Sequence, residues 1–388
     1  MLKVNYKLNI GNWSVNSEDD PRTEFMTLEA DHSIGSSADF CRIAIYAPPA
    51  PKKGLLEQLA GEATQLAGGA LGLGGGPKEK AFSVQVRGNA IKYGDQITVE
   101  LTAGNLSAKV MTAEVQSIES SFGQTRIEGV TGQRKLANSR VNQVYENKTL
   151  SQIVKDFAGQ AAVSTGAIDT GSSYSYFVAH ESRNLLSQIR QLAARESMDL
   201  YFDQDNKLTL KKFNKSSADH TFYAGIDILD LQVVNQQPPS DHILIYGESA
   251  ASNQGAKTWH WLAKDLKPFR SELGKGNKRL AVSDGVIRTK DGAELLSKSK
   301  LGAIKDQATG GRLKLLGNPT VKLGDAIEIK ESPKPELNGL FKVVSVRHRY
   351  SKQQGFITIV DFTGQGGSKS AEGLLGQALG QLGGAVGL

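Results

Sequence analysis

The chain has 388 residues, 39% hydrophobic and 22% charged, with a net charge of +6 from 46 basic and 40 acidic side chains. This is the composition of an ordinary globular protein with room for two to three domains. The basic excess is mild and dispersed, which argues against a nucleic-acid-binding footprint; the densest tract, Lys264 to Arg279, is mixed with acids and glycines and reads as a solvated loop. Cys41 is the sole cysteine, so an intrachain disulfide and a cysteine-rich metal site are excluded, in keeping with folding in a reducing cytoplasm.

The N-terminus enters strand-like alternation at once, with no signal-peptide apolar core, and no uninterrupted apolar run reaches the roughly 18 residues of a membrane span. The expectation is a protein made and folded inside the cell. Residues 1–47 read as strands, with Tyr6, Leu8 and Ile10 alternating and Ile43 and Ile45 doing the same, until Pro48-Pro49-Ala50-Pro51 stops the pattern. A Gly/Ala/Leu-rich insertion follows at 48–80, and strand patterning resumes at Phe82, Val84 and Val86. The insertion thus interrupts a first β-domain, formed by 1–47 and 81–140.

Residues 141–225 change period and read as an α+β unit. Thr149 with Gln152 forms a capping box ahead of a helix over 149–161, with Leu150, Ile153, Val154 and Phe157 on one face. A second helix is predicted over about 181–196, followed by a strand, turn and strand through Leu200-Tyr201-Phe202 and Leu208-Thr209-Leu210. A second β-domain is expected over 226–364. It holds a long polar excursion at 249–285 and a helix over about 292–306 capped by Asp291. A Gly/Leu-rich tail, 365–388, resembles the early insertion. In both tracts the larger apolar residues step by three or four, so mobile linkers and self-associating helices that line an opening both remain open. A place near a lumen, or at a junction with other proteins, is the expectation for both.

The most informative feature is a phrase said twice. Lys92-Tyr93-Gly94-Asp95 opens the strand carrying Ile97 and Val99, and Lys322-Leu323-Gly324-Asp325 opens the strand carrying Ile327 and Ile329, 230 positions later (324 − 94). Glycine accepts a positive φ and aspartate bonds back to its own backbone, so Gly-Asp makes a turn; alternation then marks a half-buried strand. A β-fold unit is duplicated within one chain, and Gly94, Asp95, Gly324 and Asp325 are expected to determine the fold rather than to form a site.

No catalytic motif has useful strength. The six histidines form no HxxxH or HxH pair, no GxSxG elbow or P-loop occurs, and Gly72-Leu73-Gly74-Gly75-Gly76 resembles a phosphate loop only in composition. Acid pairs such as Asp19-Asp20 are common at turns.

Three segments in order resemble the tail hub proteins of contractile tails, a group that includes phage late-control D proteins, the T4-type baseplate hub and the N-terminal part of the type VI secretion VgrG spike. The first runs from Gly132 to the Thr149-capped helix. The second is Glu181-Ser182-Arg183-Asn184-Leu185-Leu186 with its following hairpin. The third runs from Gly317-Asn318-Pro319 through Gly324-Asp325 to Gly339-Leu340-Phe341 and His348. The positions carrying the resemblance are Glu181, Ser182, Pro319, Gly339, Phe341 and His348.

The resemblance implies a mainly β (α+β) fold: two related β-barrels with an intervening α+β unit, three chains forming a pseudo-six-fold ring. It implies a structural, non-enzymatic protein without cofactor or metal. Such a homotrimer adapts a six-fold inner tube to a three-fold spike, contacts baseplate components and surrounds a passage for DNA or protein cargo, with little call for membrane contact. Assembly into a phage tail or an injection particle follows synthesis in a bacterial cytoplasm. VgrG-type chains continue into a spike whereas this sequence stops soon after Gly364, so a separate spike protein is expected. The alternative is a tail-tip cell-envelope (peptidoglycan) hydrolase or wall-binding module.

Overall fold

The computed structural model describes residues 4–17, 25–35, 39–46, 83–86, 89–121, 123–247, 270–334 and 337–364. The 48–80 insertion and the 365–388 tail, with the helices or linkers expected there, lie outside the described residues.

The first part of the chain forms β1 (Val4–Ile10), β2 (Trp13–Asn16), β3 (Phe25–Ser33), β4 (Phe40–Tyr46), β5 (Ser83–Val86), β6 (Asn89–Lys92), β7 (Gln96–Ala103), β8 (Leu106–Ser121) and β9 (Gln124–Val130). The middle forms α1 (Gln133–Asn138), β10 (Gln143–Thr149), α2 (Leu150–Gln160), β11 (Thr165–Ile168), β12 (Ser173–Ala179), α3 (Leu185–Arg195), β13 (Met198–Phe202) and β14 (Leu208–Lys212). The last part forms β15 (His220–Tyr223), β16 (Ile228–Asn235), β17 (His242–Tyr246), β18 (Arg270–Gly274), β19 (Arg279–Ser283), α4 (Lys290–Ala308), β20 (Thr309–Leu316), β21 (Ala326–Lys330), β22 (Gly339–Ser351) and β23 (Gly355–Thr363).

The protein is mainly β, as the alternation predicts, and the first and last parts share one 13-stranded sheet. Its order is β16-β20-β23-β22-β3-β4-β9-β8-β7-β1-β2, with β21 and β15 branching from β22. Two separate apolar cores sit against this sheet. Leu8, Ile10, Ile43, Ile45, Ile97 and Leu101 anchor the first; Leu313, Leu315, Ile327, Ile329, Val343 and Phe362 anchor the second.

Strand by strand, β3-β4-β9-β8-β7 repeats as β16-β20-β23-β22-β21. The bulges repeat too. β8 shifts register between Val115 and Ser117 against β9, and β22 shifts between Val343 and Ser345 against β23. β3 shifts between Phe25 and Thr27 against β4, and β16 shifts between Ile228 and Asp230 against β20. Insertions fall at different places in the two halves: 47–82 lies between β4 and the β5–β6 hairpin, whereas β17–β19 and α4 lie between β16 and β20. The repeat is broken at the flank. β1 runs antiparallel to β7, but β15 runs parallel to β21.

The middle unit has its own core, with Phe157, Leu150, Ile189, Leu192, Leu208 and Leu210 fully buried. Its first long helix begins as predicted. Gln152 N–H donates to Thr149 Oγ1 (3.3 Å) and Thr149 N–H donates to Gln152 Oε1 (3.0 Å). The second starts later than predicted. Asn184 is its cap, accepting from Ser187 N–H at 2.8 Å, while Glu181 and Ser182 occupy the preceding turn, where Ser182 N–H donates to His180 Nδ1. α4 starts earlier than predicted: Thr289 accepts from Gly292 N–H at 3.1 Å, and Asp291 sits inside the first turn, where its charge complements the helix dipole. The excursion read as 249–285 contains two strands, β18 and β19. They flank β17, and α4 covers them through a small fourth core of Ile243, Ile245, Ala293 and Leu296.

Candidate assembly surface

The two Gly-Asp turns are the same object twice. Gly94 has φ +83° and Gly324 φ +74°, the left-handed region where a Cβ is strained. Asp95 Oδ2 accepts from Lys92 N–H at 2.8 Å, and Asp325 Oδ2 accepts from Lys322 N–H at 2.8 Å. Gly94 N–H donates to Val115 O and Val115 N–H returns to Asp95 O (2.9 and 2.8 Å); Gly324 and Asp325 exchange the same two bonds with Val343 (3.1 and 2.9 Å). Each turn therefore clamps the strand beside it just ahead of the repeated bulge.

Their surroundings differ. Asp95 lies against Gly11, where a Cβ would stand 2.7 Å from its Oδ2. Asp325 is largely buried and takes two side-chain partners, His220 Nε2 at 3.1 Å and Lys215 Nζ at 3.1 Å. Burial works against its ionisation, but His220, Lys215 and the Lys322 N–H outweigh burial and hold the carboxyl below the usual range.

Beyond its bulge, β22 joins the two halves. It pairs antiparallel with β3 from Ser345↔Ser33 to Ser351↔Thr27, and Ile34 N–H extends the joint to Val344 O at 2.8 Å. On the core side of the joint lie two buried histidines. His348 Nδ1 is 3.1 Å from Thr358 Oγ1, which donates its one hydrogen to Asn318 O, so the imidazole is the donor and is held in its Nδ1–H form. Burial depresses its pKa to about 3, with His32 adding to the effect, so His348 is a neutral structural donor. His32 Nε2 donates to Val110 O at 3.0 Å, and Nδ1 stands 3.5 Å from Asp39 Oδ2, long for a hydrogen bond but close enough for charge attraction. Burial opposes protonation of His32, and Asp39 outweighs it, leaving the pKa raised.

The opposite face of the same strands is polar and charge-compensated. Arg349 pairs with Glu29 (2.9 Å) and Arg347 with Asp31 across the joint; Arg42 pairs with Glu128 (3.1 Å), Arg312 with Asp361 (2.7 Å), and Arg126 with Glu119 (3.8 Å). Such exposed pairs contribute about 0–1 kcal/mol each. Their main physical effect is to leave a long hydrophilic surface without a dominant sign of charge. Arg347–Asp31 is the more buried case, and burial raises the Asp31 pKa against the pull of the arginine.

The remaining sequence-predicted positions are scattered. Glu181 and Ser182 are exposed, and their carbonyls accept from Arg140 Nη1 at 3.3 and 3.5 Å. Pro319 is buried beside Asn318, whose N–H donates to Thr358 Oγ1 (2.9 Å), so it shares a bonded network with His348. Gly339 opens β22 at φ +153°, and Phe341 lies in the second core, its ring 4.6 Å from that of Phe362. Phe341 and His348 thus share β22, while Glu181 and Ser182 belong elsewhere. The joint residues Glu29, Asp31, Arg347 and Arg349 were not singled out by sequence. Their signal was present as acids two apart on one strand and arginines two apart on another. Among the described residues no group of three or more His, Cys, Asp or Glu is arranged to hold a metal ion, and no helix is long and apolar enough to cross a membrane.

Two tail proteins have the same fold over nearly their whole length. One is the 43 kDa tail protein of prophage MuSo2 from Shewanella oneidensis, with a TM-score of 0.66 at 10% identity, covering 94% of this chain and 99% of that one. The other is the tail protein from Neisseria meningitidis MC58, with a TM-score of 0.64 at 9% identity, covering 94% and 97%. The E. coli c3393 protein, a type VI secretion system component with structural similarity to the T4 bacteriophage tail proteins gp27 and gp5, aligns at 0.53 and 9% identity over 92% of this chain and 76% of its own. Neither a family model nor a curated protein matches the sequence. The chain therefore has the fold of phage tail proteins, the fold class that the sequence resemblance implies.

Proposed function

We propose that this protein is a structural hub of a phage tail or contractile injection system. Three copies form a ring that adapts a six-fold inner tube to a three-fold spike, with the polar sheet face turned to a central passage for DNA or protein cargo. The observation that carries this reading is the repeat of five strands, two turns and two bulges, with both halves already joined edge to edge by β22 and β3. A chain that presents two equivalent sheet segments supplies three-fold symmetry with six-fold spacing. On this reading the residues act by shape and pairing, and Gly94, Asp95, Gly324 and Asp325 set the strands rather than contact a substrate. The compensated charges suit a passage through which a charged cargo must move without sticking.

Light scattering on the full-length protein, alone and mixed with its tube and spike proteins, tests the reading. A trimer in either sample is the expected result. A monomer in both overturns it.

A further inference from the structure

A groove runs along one edge of β12, where the middle unit meets the module of β17–β19 and α4. Residues 172–176 line a cavity of about 420 Å³, and Phe177, Val178 and His180 continue into one of about 650 Å³. Arg195 and Val286 line both, so the two cavities adjoin at a saddle. A groove over the face of a strand touches every second residue, because successive side chains point to opposite faces; a groove along the edge touches them all. The consecutive run of β12 residues therefore marks an edge groove. Its opposite wall is formed by Asp284, Arg288 and the first turn of α4.

That edge is open for pairing. β12 pairs with β10 on one side and, among the described residues, with no strand on the other. Among the described residues the backbone of 173–179 bonds only to β10. The strand reads Ser-Tyr-Ser-Tyr-Phe-Val-Ala, without a charge or a proline, the devices that normally block an exposed edge. Apolar surface lies beside it: Tyr176 is 37% exposed, Val178 44%, and Val144, which faces Val178 from β10, 49%.

The carboxylates of the groove are already engaged. Asp284 holds Arg195 at 2.7 and 2.9 Å, Glu196 accepts from Ser172 N–H at 2.9 Å and from the Tyr174 hydroxyl at 3.1 Å, and Asp291 sits in the first turn of α4. Two cations lining the larger cavity, exposed Arg183 and half-buried Lys300, pair with no carboxylate among the described residues; Arg183 donates to the neutral Gln191 Oε1 at 2.9 Å. Arg195, 4% exposed, commits Nε and Nη2 to Asp284, and its Nη1 has no acceptor among the described residues. A buried N–H of this kind calls for an oxygen.

We propose that this groove takes an extended acidic segment of a partner protein, which adds to β12 as a third strand beside β10. The β12 edge supplies the main-chain bonds, Arg183 and Lys300 receive the carboxylates in the larger cavity, and the end lined by Ser172, Ser173 and Ser175 takes small side chains. Strand addition of this kind draws affinity from the backbone and selectivity from alternate side chains. The uncompensated cations steer an acidic segment in and disfavour a basic one. The groove lies off the 13-stranded sheet, so the proposal stands independently of the ring.

The test uses the full-length protein and labelled eight-residue peptides that alternate valine with glutamate, glutamine or lysine. By fluorescence anisotropy the glutamate peptide should bind about tenfold tighter than the glutamine peptide and the lysine peptide weakest, with the gap closing at high salt. Hydrogen exchange should slow over 172–180 in the glutamate complex. Arg183→Gln/Lys300→Gln, with an unchanged circular dichroism spectrum, should bring the glutamate peptide down to the glutamine level. N-methylation of alternate peptide amides should abolish binding in one register and spare it in the other, because an added strand is bonded along one edge. No binding by the glutamate peptide, equal affinity for the three peptides, no slowing over 172–180, or equal tolerance of both N-methyl registers overturns the proposal. None of these outcomes bears on the trimer mass, on which the hub reading is decided.

Discussion

The duplicated turn lets one substitution be made in two environments within the same molecule. Asp→Asn keeps an oxygen to accept from the lysine N–H of the turn but removes the charge. At position 95 less depends on that charge: Asp95 Oδ2 accepts from the Lys92 N–H, a backbone donor that an amide oxygen serves as well. The cost there is expected within about 0.5 kcal/mol. At position 325 the carboxylate also holds His220 and Lys215, with its side chain 15% exposed. Loss of the charged bond to His220 costs about 1.5–3 kcal/mol. Lys215 is 38% exposed, so solvent screening keeps its share below about 1 kcal/mol. The sum, roughly 1.5–4 kcal/mol, is a change of about 10- to 900-fold in a local opening equilibrium. Hydrogen exchange reads this directly at two matched amides: Val343 N–H, bonded to Asp325 O, and Val115 N–H, bonded to Asp95 O. Asp325→Asn should accelerate exchange at Val343 by that factor, and Asp95→Asn should change Val115 only slightly. Because the folded carboxyl of Asp325 lies below its ordinary value of 3.8, its contribution is present above that pH and is lost as pH falls through the lower folded value. Equal effects at the two turns would refute the reasoning.

The joint histidines should give opposite pH responses. His348 titrates near 3 when folded against 6.5 when free, so acidification below 6.5 favours unfolding by about 1.4 kcal/mol per pH unit, roughly 2 kcal/mol at pH 5; His348→Asn should flatten that acid limb in urea titrations at pH 7 and 5. His32 has a raised pKa, so its contribution is full below 6.5 and fades as pH rises through the folded value, and His32→Asn should remove that alkaline loss. Arg347→Ala leaves Asp31, 7% exposed at its side chain, without its cation; about 2–3 kcal/mol is expected, against less than about 1 kcal/mol for Arg349→Ala, whose side chain is 51% exposed. Thermal melts of the two variants check the ranking.

The sequence displayed the turns because their chemistry is backbone chemistry, and at φ +83° and +74° glycine is strongly favoured over any residue with a Cβ. It hid most of the repeat because core packing is a volume problem with many solutions. Phe362 stands where the first half has Gly129, and Gly311 stands where it has Cys41; a Cβ on Gly311 would lie 2.7 Å from the Phe362 ring. One half fills the space from one strand and the other half from its neighbour, so the paired positions look unrelated in sequence. The helix starts were misplaced for a simpler reason. Thr149 had no rival cap, whereas Asn184 and Thr289 each compete with nearby acids, and caps are chosen by where the chain turns. The joint was illegible because the partners of Arg347 and Arg349 lie more than 300 residues away, and alternating charge on a strand names no partner.

What diverged between the halves is as informative as what stayed. The conserved band is β3, β4, β8 and β9 with their counterparts, the strands that carry the bulges and the joint. The elements that differ lie outside it: β1 and β2 flank one half, β15 flanks the other, the β5–β6 hairpin belongs to the first, and β17–β19 with α4 are inserted in the second. A strand ladder constrains its members through fixed spacing and register, so a segment that must pair on both edges cannot drift without breaking two neighbours. Elements outside the ladder have no such constraint. A duplicated chain can therefore keep its band equivalent while making its flanks different, which is the geometric requirement on an adaptor between six-fold and three-fold partners. On the hub reading, substitutions on β17–β19 and α4 should weaken pull-down of either the tube or the spike protein and leave the trimer mass by light scattering unchanged.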